Sequence, residues 1–279
     1  MLRAALVQLN VGDDPAANLP GTLAFVAEAA RGGAKLVLTP EATNLLIPDR
    51  DRQRALLRRE DDDPTLAALR EAAAQWRLWL SVGSLSLRHD DPDEPRFVNR
   101  SFLIAPDGGI AARYDKIHMF DVDIDGRAIR ESAAFRPGAR AVLAQGPLRM
   151  GLTICYDIRF PALYRRLALA GARVLTVPSA FHPTTGAAHW HVLLRARAIE
   201  TGCFVLAAAQ TGTHPAPHSP GREPRRSYGH SLAVAPWGEV LADAGSAPGV
   251  TLVDLDPARV AEARARVPAW RHDPVIWGP

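Results

Sequence analysis

Residues 151–161 read Gly151-Leu-Thr-Ile-Cys155-Tyr-Asp-Ile-Arg-Phe-Pro161. The run Leu148–Ile154 reads as a strand that stops abruptly at Cys155, and Pro161 opens a helix reaching about Leu169. A cysteine between a strand and a helix N-terminus can expose its sulfur, and the helix field favours thiolate. Strand ends of α/β sheets are where active sites collect. This stretch fits an α/β fold and makes Cys155 a candidate nucleophile, although a lone cysteine is more often a small core residue.

Outward from it, β-type and helical runs interleave. Upstream, strands are expected at Arg3–Leu9, Lys35–Thr39, Trp79–Leu87 and Val98–Ile104, with helices over 18–31 and 64–76. Asp107-Gly108-Gly109 turns the chain back into Ile110–Tyr114 as a hairpin. Downstream, strands are expected at Val174–Val177, Phe204–Ala209, Ser231–Ala235, Val240–Ala242 and 250–254, with helices over 187–200 and 257–266. Helical crossovers together with hairpins imply a layered α/β domain with a mixed sheet system. Residues 115–139 show no clear periodicity, and long loops in compact domains are usually functional. No internal repeat or low-complexity linker appears. One domain is expected over 1–271, with a C-terminal tail over 272–279.

Composition narrows the function classes. Of 279 residues, 47% are hydrophobic and 23% charged, which excludes disorder. No 18-residue apolar stretch exists, so no membrane span is expected. The N-terminal apolar run is too short for a secretory segment, which places the chain in the cytoplasm. Two cysteines, Cys155 and Cys203, make no disulfide framework. The net charge of +3 comes from both signs spread along the chain; Arg222, Arg225 and Arg226 are interrupted by Glu223 and Pro224 and read as a solvated loop. No nucleic-acid partner is expected. Neither a phosphate-binding P-loop nor a dinucleotide glycine fingerprint is present, and no cofactor is expected. Of 33 basic side chains only Lys35 and Lys116 are lysine, so a compact ammonium is of interest wherever it is kept.

Two further reactive side chains follow strand-like runs: Glu41 after Leu-Val-Leu-Thr-Pro, and Lys116 after Ala-Ala-Arg-Tyr-Asp. A cysteine nucleophile needs a base and an electrophilic stabiliser. His182, His189, His191, His214, His218 and His230 are candidate bases; Glu41, with a pKa raised by burial, is the other option. Residues i and i+2 of a helix point apart, so His189 and His191 make a poor ligand pair, and His214 with His218 lies in a Pro-rich loop. No metal site is expected. Cys203 opens a strand without acid or base around it and reads as core.

The order Glu, Lys, Cys, each in its context, resembles the nitrilase or carbon–nitrogen hydrolase superfamily. Thr39-Pro-Glu41-Ala-Thr-Asn44, Tyr114-Asp-Lys116-Ile-His-Met-Phe-Asp121 and Gly151–Pro161 match the motifs around its catalytic Glu, Lys and Cys. Glu131-Ser132, followed by Pro137-Gly138, matches the segment of its second, supporting Glu. The likeness runs from the first strand to about Arg271. It is greatest to the branch of omega-amidases and deaminated-glutathione amidases, on Pro178-Ser-Ala-Phe181, Thr184-Thr185-Gly186, Leu194–Glu200, Ser227–Ser231 and Pro236-Trp-Gly238.

The resemblance implies a four-layer α-β-β-α sandwich, assembled as a homodimer or higher homo-oligomer. It implies an amidase that cuts the terminal C–N bond of a small carboxylate-bearing metabolite through a cysteine thioester, releasing ammonia. Deaminated glutathione is the first choice of substrate. The alternatives are 2-oxoglutaramate or succinamate, or an N-carbamoyl or nitrile substrate. Glu41 would serve as base, acid and base again, and Cys155 as nucleophile. Lys116 and the Tyr156 backbone N–H would form the oxyanion hole, with Glu131 positioning Lys116. Arg159 suits a substrate carboxylate or, equally, an ion pair with Asp157. Thr184 and Thr185 suit hydroxyl donors or helix capping.

Overall fold

The computed structural model describes residues 1–47 and 49–272. Of the expected tail, 272–279, all but His272 lies outside the described residues. The first half runs β1 (Leu2–Gln8), α1 (Pro15–Arg31), β2 (Leu36–Leu38), α2 (Arg50–Leu56), α3 (Pro64–Trp76), β3 (Trp79–Arg88), β4 (Phe97–Ile104) and β5 (Ile110–Asp115). A small hairpin follows, β6 (Asp121–Ile124) and β7 (Arg127–Arg130). Then come β8 (Val142–Gln145), β9 (Arg149–Leu152), α4 (Pro161–Leu169), β10 (Val174–Thr176), α5 (Pro183–Thr201) and β11 (Phe204–Ala207). A ribbon of β12 (Thr211–Thr213) and β13 (Arg226–Tyr228) precedes β14 (Leu232–Val234), β15 (Val240–Asp243), β16 (Gly249–Leu255) and α6 (Ala258–Arg266).

Local chemistry sets the helix bounds. Asp14 caps α1 and Asp63 caps α3, each accepting a first-turn N–H, and a proline follows each cap. Gly33, at φ +84°, lets the chain leave α1 in a conformation a side chain would strain.

Two six-stranded sheets form, in the orders β16-β1-β2-β3-β4-β5 and β15-β14-β11-β10-β9-β8. In each, three parallel strands are flanked by one antiparallel strand on one side and two on the other. The halves therefore share one strand plan although no repeat is legible in the sequence. Side-chain alternation gives each sheet two faces. On β1, Ala5 and Val7 pack with Val26 and Ala29 of α1 and Leu66 and Leu69 of α3. Ala4 and Leu6 face the other way, into the cluster holding Met150, Leu152 and Val174 of the second sheet. That sheet is covered in turn by α4 and α5 through Leu163, Leu167, Trp190 and Leu194. The layers are thus α-β-β-α, as expected.

The differences from expectation are local. Residues 115–139 are not an aperiodic loop: they hold the β6–β7 hairpin and a short 3-10 turn, Glu131–Ala133. Neither strand is buried on a face, so no apolar alternation marks them. The short helix α2 is polar and rests on its Asp49 cap. Helix α5 begins at Pro183 rather than 187.

Candidate active site

The parallel strands of both sheets deliver their C-terminal ends to one place. After β2, Thr39-Pro40-Glu41 turns tightly across β3. Gly83 is required there, because a Cβ would fall 2.2 Å from the Thr39 carbonyl oxygen and 2.4 Å from Pro178 Cβ. Ala42, at φ +55°, donates its N–H to Ser84 Oγ at 2.9 Å, and Gln210 Nε2 donates to the Glu41 carbonyl at 3.0 Å. The backbone that carries Glu41 is thereby held from β3 on one side and by Gln210, just beyond β11, on the other.

Cys155 follows β9 at φ +48°, an uncommon conformation for a non-glycine residue. Its N–H donates to the Pro178 carbonyl at 2.9 Å. The buried Asp157 carboxylate braces this turn: it accepts from Ile154 N–H (2.8 Å), Tyr114 Oη (2.6 Å) and His118 N–H (3.1 Å). Residues 155–159 form a 3-10 turn, and α4 starts only at Pro161. Cys155 thus opens a 3-10 turn rather than α4 itself.

Lys116, buried at the end of β5, donates from Nζ to Glu41 Oε1 (2.9 Å) and to both Glu131 oxygens (2.9 and 2.8 Å). Glu131 also accepts the Phe120 N–H at 2.6 Å, and Glu41 Oε2 accepts the Ala180 N–H at 2.8 Å. The Cys155 thiol and the Glu41 carboxylate are close enough to act on each other's titration. The structure thus brings Glu41, Lys116, Glu131 and Cys155 together from separate loops.

The electrostatics correct one expectation. Burial alone would raise the Glu41 pKa, but the Lys116 charge, aided by hydrogen bonds from Lys116, Cys155 and Ala180, holds it below the usual carboxylate range. Burial would lower Lys116, and Glu131 and Glu41 reverse that, keeping it an ammonium. Burial, and next the Glu41 charge, push the Cys155 thiol well up. The resting site is a protonated thiol facing a carboxylate, with two carboxylates sharing one ammonium.

The other candidates sit around this centre. The Tyr156 ring packs edge-on to Phe120 and Phe160. Arg159 does not pair with Asp157, whose oxygens are committed elsewhere. Its guanidinium lies over Tyr156 and Phe181 and 3.3 Å from His189 Nδ1. Thr185 Oγ1 donates to the His182 carbonyl, and Thr184 Oγ1 donates to Asp125 at the tip of the β6–β7 hairpin (2.8 Å). Neither threonine caps α5. His189 and His191 do point apart. His191 instead meets His230 and Asp243. His214 and His218 do not form a pair: burial lowers the His214 pKa to about 4, and its ring lies between the Val11 carbonyl and Ser227 Oγ.

Asn99, on β4, escaped the sequence reading. Its Nδ2 donates to Glu41 Oε1 at 2.9 Å and approaches Glu131 Oε1 at 3.4 Å. The signal was an amide inside the apolar strand run Phe97-Val-Asn99, where asparagine is disfavoured.

Known proteins resemble this chain over nearly its whole length. The carbon-nitrogen hydrolase family matches residues 3–265. A deaminated glutathione amidase of Yersinia enterocolitica is 38% identical over 274 residues, covering 96% of this chain and 92% of that protein. The NitFhit protein of C. elegans superposes with a TM-score of 0.86 at 35% identity, covering 98% of this chain; this chain spans 65% of that longer one. A mutant amidase of Nesterenkonia sp. AN1, showing Michael addition of acrylamide at its active site cysteine, gives a TM-score of 0.76 at 29% identity, over 96% and 98% of the two chains.

Proposed function

This chain belongs to the carbon–nitrogen hydrolase family, and from that premise we propose that it is a deaminated glutathione amidase working through a Cys155 thioester. The observation that carries the mechanism is the Glu41–Lys116–Glu131 cluster facing the Cys155 thiol.

Glu41 takes the thiol proton as sulfur attacks the amide carbonyl. The base is already ionised and the thiol is not, so the proton moves only as the C–S bond forms. Negative charge builds on the carbonyl oxygen. Lys116 Nζ and the Tyr156 N–H stabilise it; that amide has no acceptor among the described residues. Glu41 then protonates the departing nitrogen, leaving an acyl thioester. It next takes a proton from water, which attacks the thioester carbonyl; the C–S bond breaks, the acid leaves, and Glu41 returns the proton to the Cys155 sulfur. Glu131 holds Lys116 in place against Glu41 and supplies a second acceptor near the leaving nitrogen. Arg159, whose fork meets no carboxylate among the described residues, binds a substrate carboxylate. Thr184 reads the substrate jointly with the hairpin tip it contacts.

The leaving group separates the substrate readings. Deaminated glutathione would release cysteinylglycine and 2-oxoglutarate, not the ammonia expected from the sequence, whereas 2-oxoglutaramate would release ammonia and 2-oxoglutarate. Incubating the enzyme with each compound, with succinamate and with a nitrile, and following all three products, tests the proposal. Rapid cysteinylglycine formation is expected. Ammonia formation alone would move the assignment to the omega-amidase branch, and no product from any compound would overturn the substrate class.

The domain is assigned to residues 1–271, in keeping with the matched span. A cytoplasmic homodimer fits two observations. Among the described residues no helix is long and apolar enough to cross a membrane. Val192 and Ile199 of α5 stand exposed, as does Trp237, whose neighbour Gly238 lies against Ile199; such an apolar surface suits a second copy.

A further inference from the structure

His191, His230 and Asp243 form a second polar cluster, which the reaction above does not use. Each comes from a different element: α5, the turn between β13 and β14, and the end of β15. His191 Nε2 lies 2.8 Å from Asp243 Oδ2, and His230 Nδ1 lies 2.9 and 3.2 Å from the two Asp243 oxygens. The three ligand-type atoms all fall within 4.8 Å of one another.

We propose that these three residues bind one divalent transition-metal ion, of the zinc class, at a site separate from the thiol centre. Two imidazoles and one carboxylate form a borderline donor set that suits Zn²⁺, Co²⁺ or Ni²⁺ and not Mg²⁺ or Ca²⁺, which take oxygen ligands. Tetrahedral bonds of about 2.0–2.1 Å place ligand atoms about 3.3 Å apart, within about half an ångström of the nitrogen–oxygen spacings here. Metal binding would use, on each ring, the nitrogen that faces Asp243, with the ring proton on the other nitrogen.

The surroundings hold the ligands in place. His230 sits at φ +57°, a conformation that persists only where neighbours fix it. Its N–H donates to the Gly245 carbonyl at 2.7 Å, and its own carbonyl accepts Trp190 Nε1 at 2.8 Å. Its ring stacks on Tyr228 at 4.6 Å. Asp243 Oδ1 accepts the Gly245 N–H at 2.9 Å. Such outer contacts are what orient metal ligands. All three side chains are about one-third exposed, so an ion has a path in and water completes the coordination. Bound there, the metal joins α5, whose first turn carries Thr184 and Thr185, to the β14–β15 hairpin.

The test uses the full-length, tag-free, metal-stripped protein carrying Cys155→Ala, so that the thiol centre does not compete. Calorimetric titration with Zn²⁺ is expected to show one site per chain, weakened at least tenfold by His191→Gln and by Asp243→Asn. The Co²⁺ form is expected to show visible absorption of a four- or five-coordinate nitrogen and oxygen site, with no thiolate band. Absence of saturable one-to-one binding, or equal binding in both variants, would overturn the proposal. Should a variant fail to fold, the Co²⁺ spectrum of the otherwise intact protein decides: six-coordinate, nearly colourless cobalt would overturn it equally.

Discussion

Cys155 and Cys203 lie in the same hydrophobic cluster, and burial pushes both thiols above the usual range. Their immediate neighbours differ. Cys203 Sγ donates to the Ala172 carbonyl at 3.3 Å and receives an Arg264 N–H at 3.1 Å, with no carboxylate in contact. Cys155 stands in a left-handed turn against Glu41, with Lys116 behind it. Burial and an elevated pKa therefore do not tell a nucleophile from a packed thiol. On the mechanism proposed above the proton acceptor beside the sulfur does, and there it replaces the low thiol pKa by which many cysteine enzymes are recognised.

The largest test of this contrast is a pair of deletions. Cys155→Ala is expected to lower kcat/KM by roughly 10⁴-fold or more. Cys203→Ala is expected to leave turnover within about threefold and instead to cost about 1–2 kcal/mol of stability. Steady-state kinetics and urea unfolding measure the two, and equal kinetic losses would erase the distinction.

Removing only the acceptor sharpens it. Glu41→Gln keeps the shape and is expected to lower kcat about 10²–10⁴-fold, the span of general-base catalysis. It should also slow iodoacetamide modification of Cys155 while leaving Cys203 unchanged, as peptide mass spectrometry would record.

The pH dependence is a milder probe. The Glu41 pKa is lowered, so its carboxylate, and the stability from its pairing with Lys116, are in full force above the ordinary Glu value of about 4.3 and are lost as pH falls through the lower folded value. kcat/KM should accordingly show no acid limb between neutrality and about pH 5. An acid limb centred near pH 6 would mean a Glu41 raised by burial. The smallest effect expected is that of Asn99→Ala: about tenfold in kcat or less, with the acid limb moved upward, because a donor to the Glu41 anion is gone.

The four-layer order came from the family resemblance alone, whereas the alternating strand and helix runs and the Glu41, Lys116 and Cys155 positions were legible because strong signals mark them. Pro64 and Pro161 start helices, Gly32-Gly33 ends one, and each reactive side chain follows a strand-like run. What escaped depends on partners distant in the chain. Asn99 matters only because β4 carries it beside the Glu41 and Glu131 loops. The β6–β7 strands carry no buried face to betray them. The sign of the Glu41 shift required knowing that Lys116 lies 2.9 Å away, not merely that Glu41 is buried. Nor does any sequence spacing join His191, His230 and Asp243.

The Gln210 bond to the Glu41 carbonyl has a temporal meaning. A ribosome makes Cys155 some 55 residues before Gln210, and β14 and β16, which pair with β11 and β1, come later still. Until they emerge, the loop bearing the base lacks its clamp and the sheets lack neighbours. Domains generally fold as units once their chain is available. The nascent protein therefore carries its thiol without a fixed base through the later part of its synthesis, and enzymatic activity dates the moment its two halves have closed.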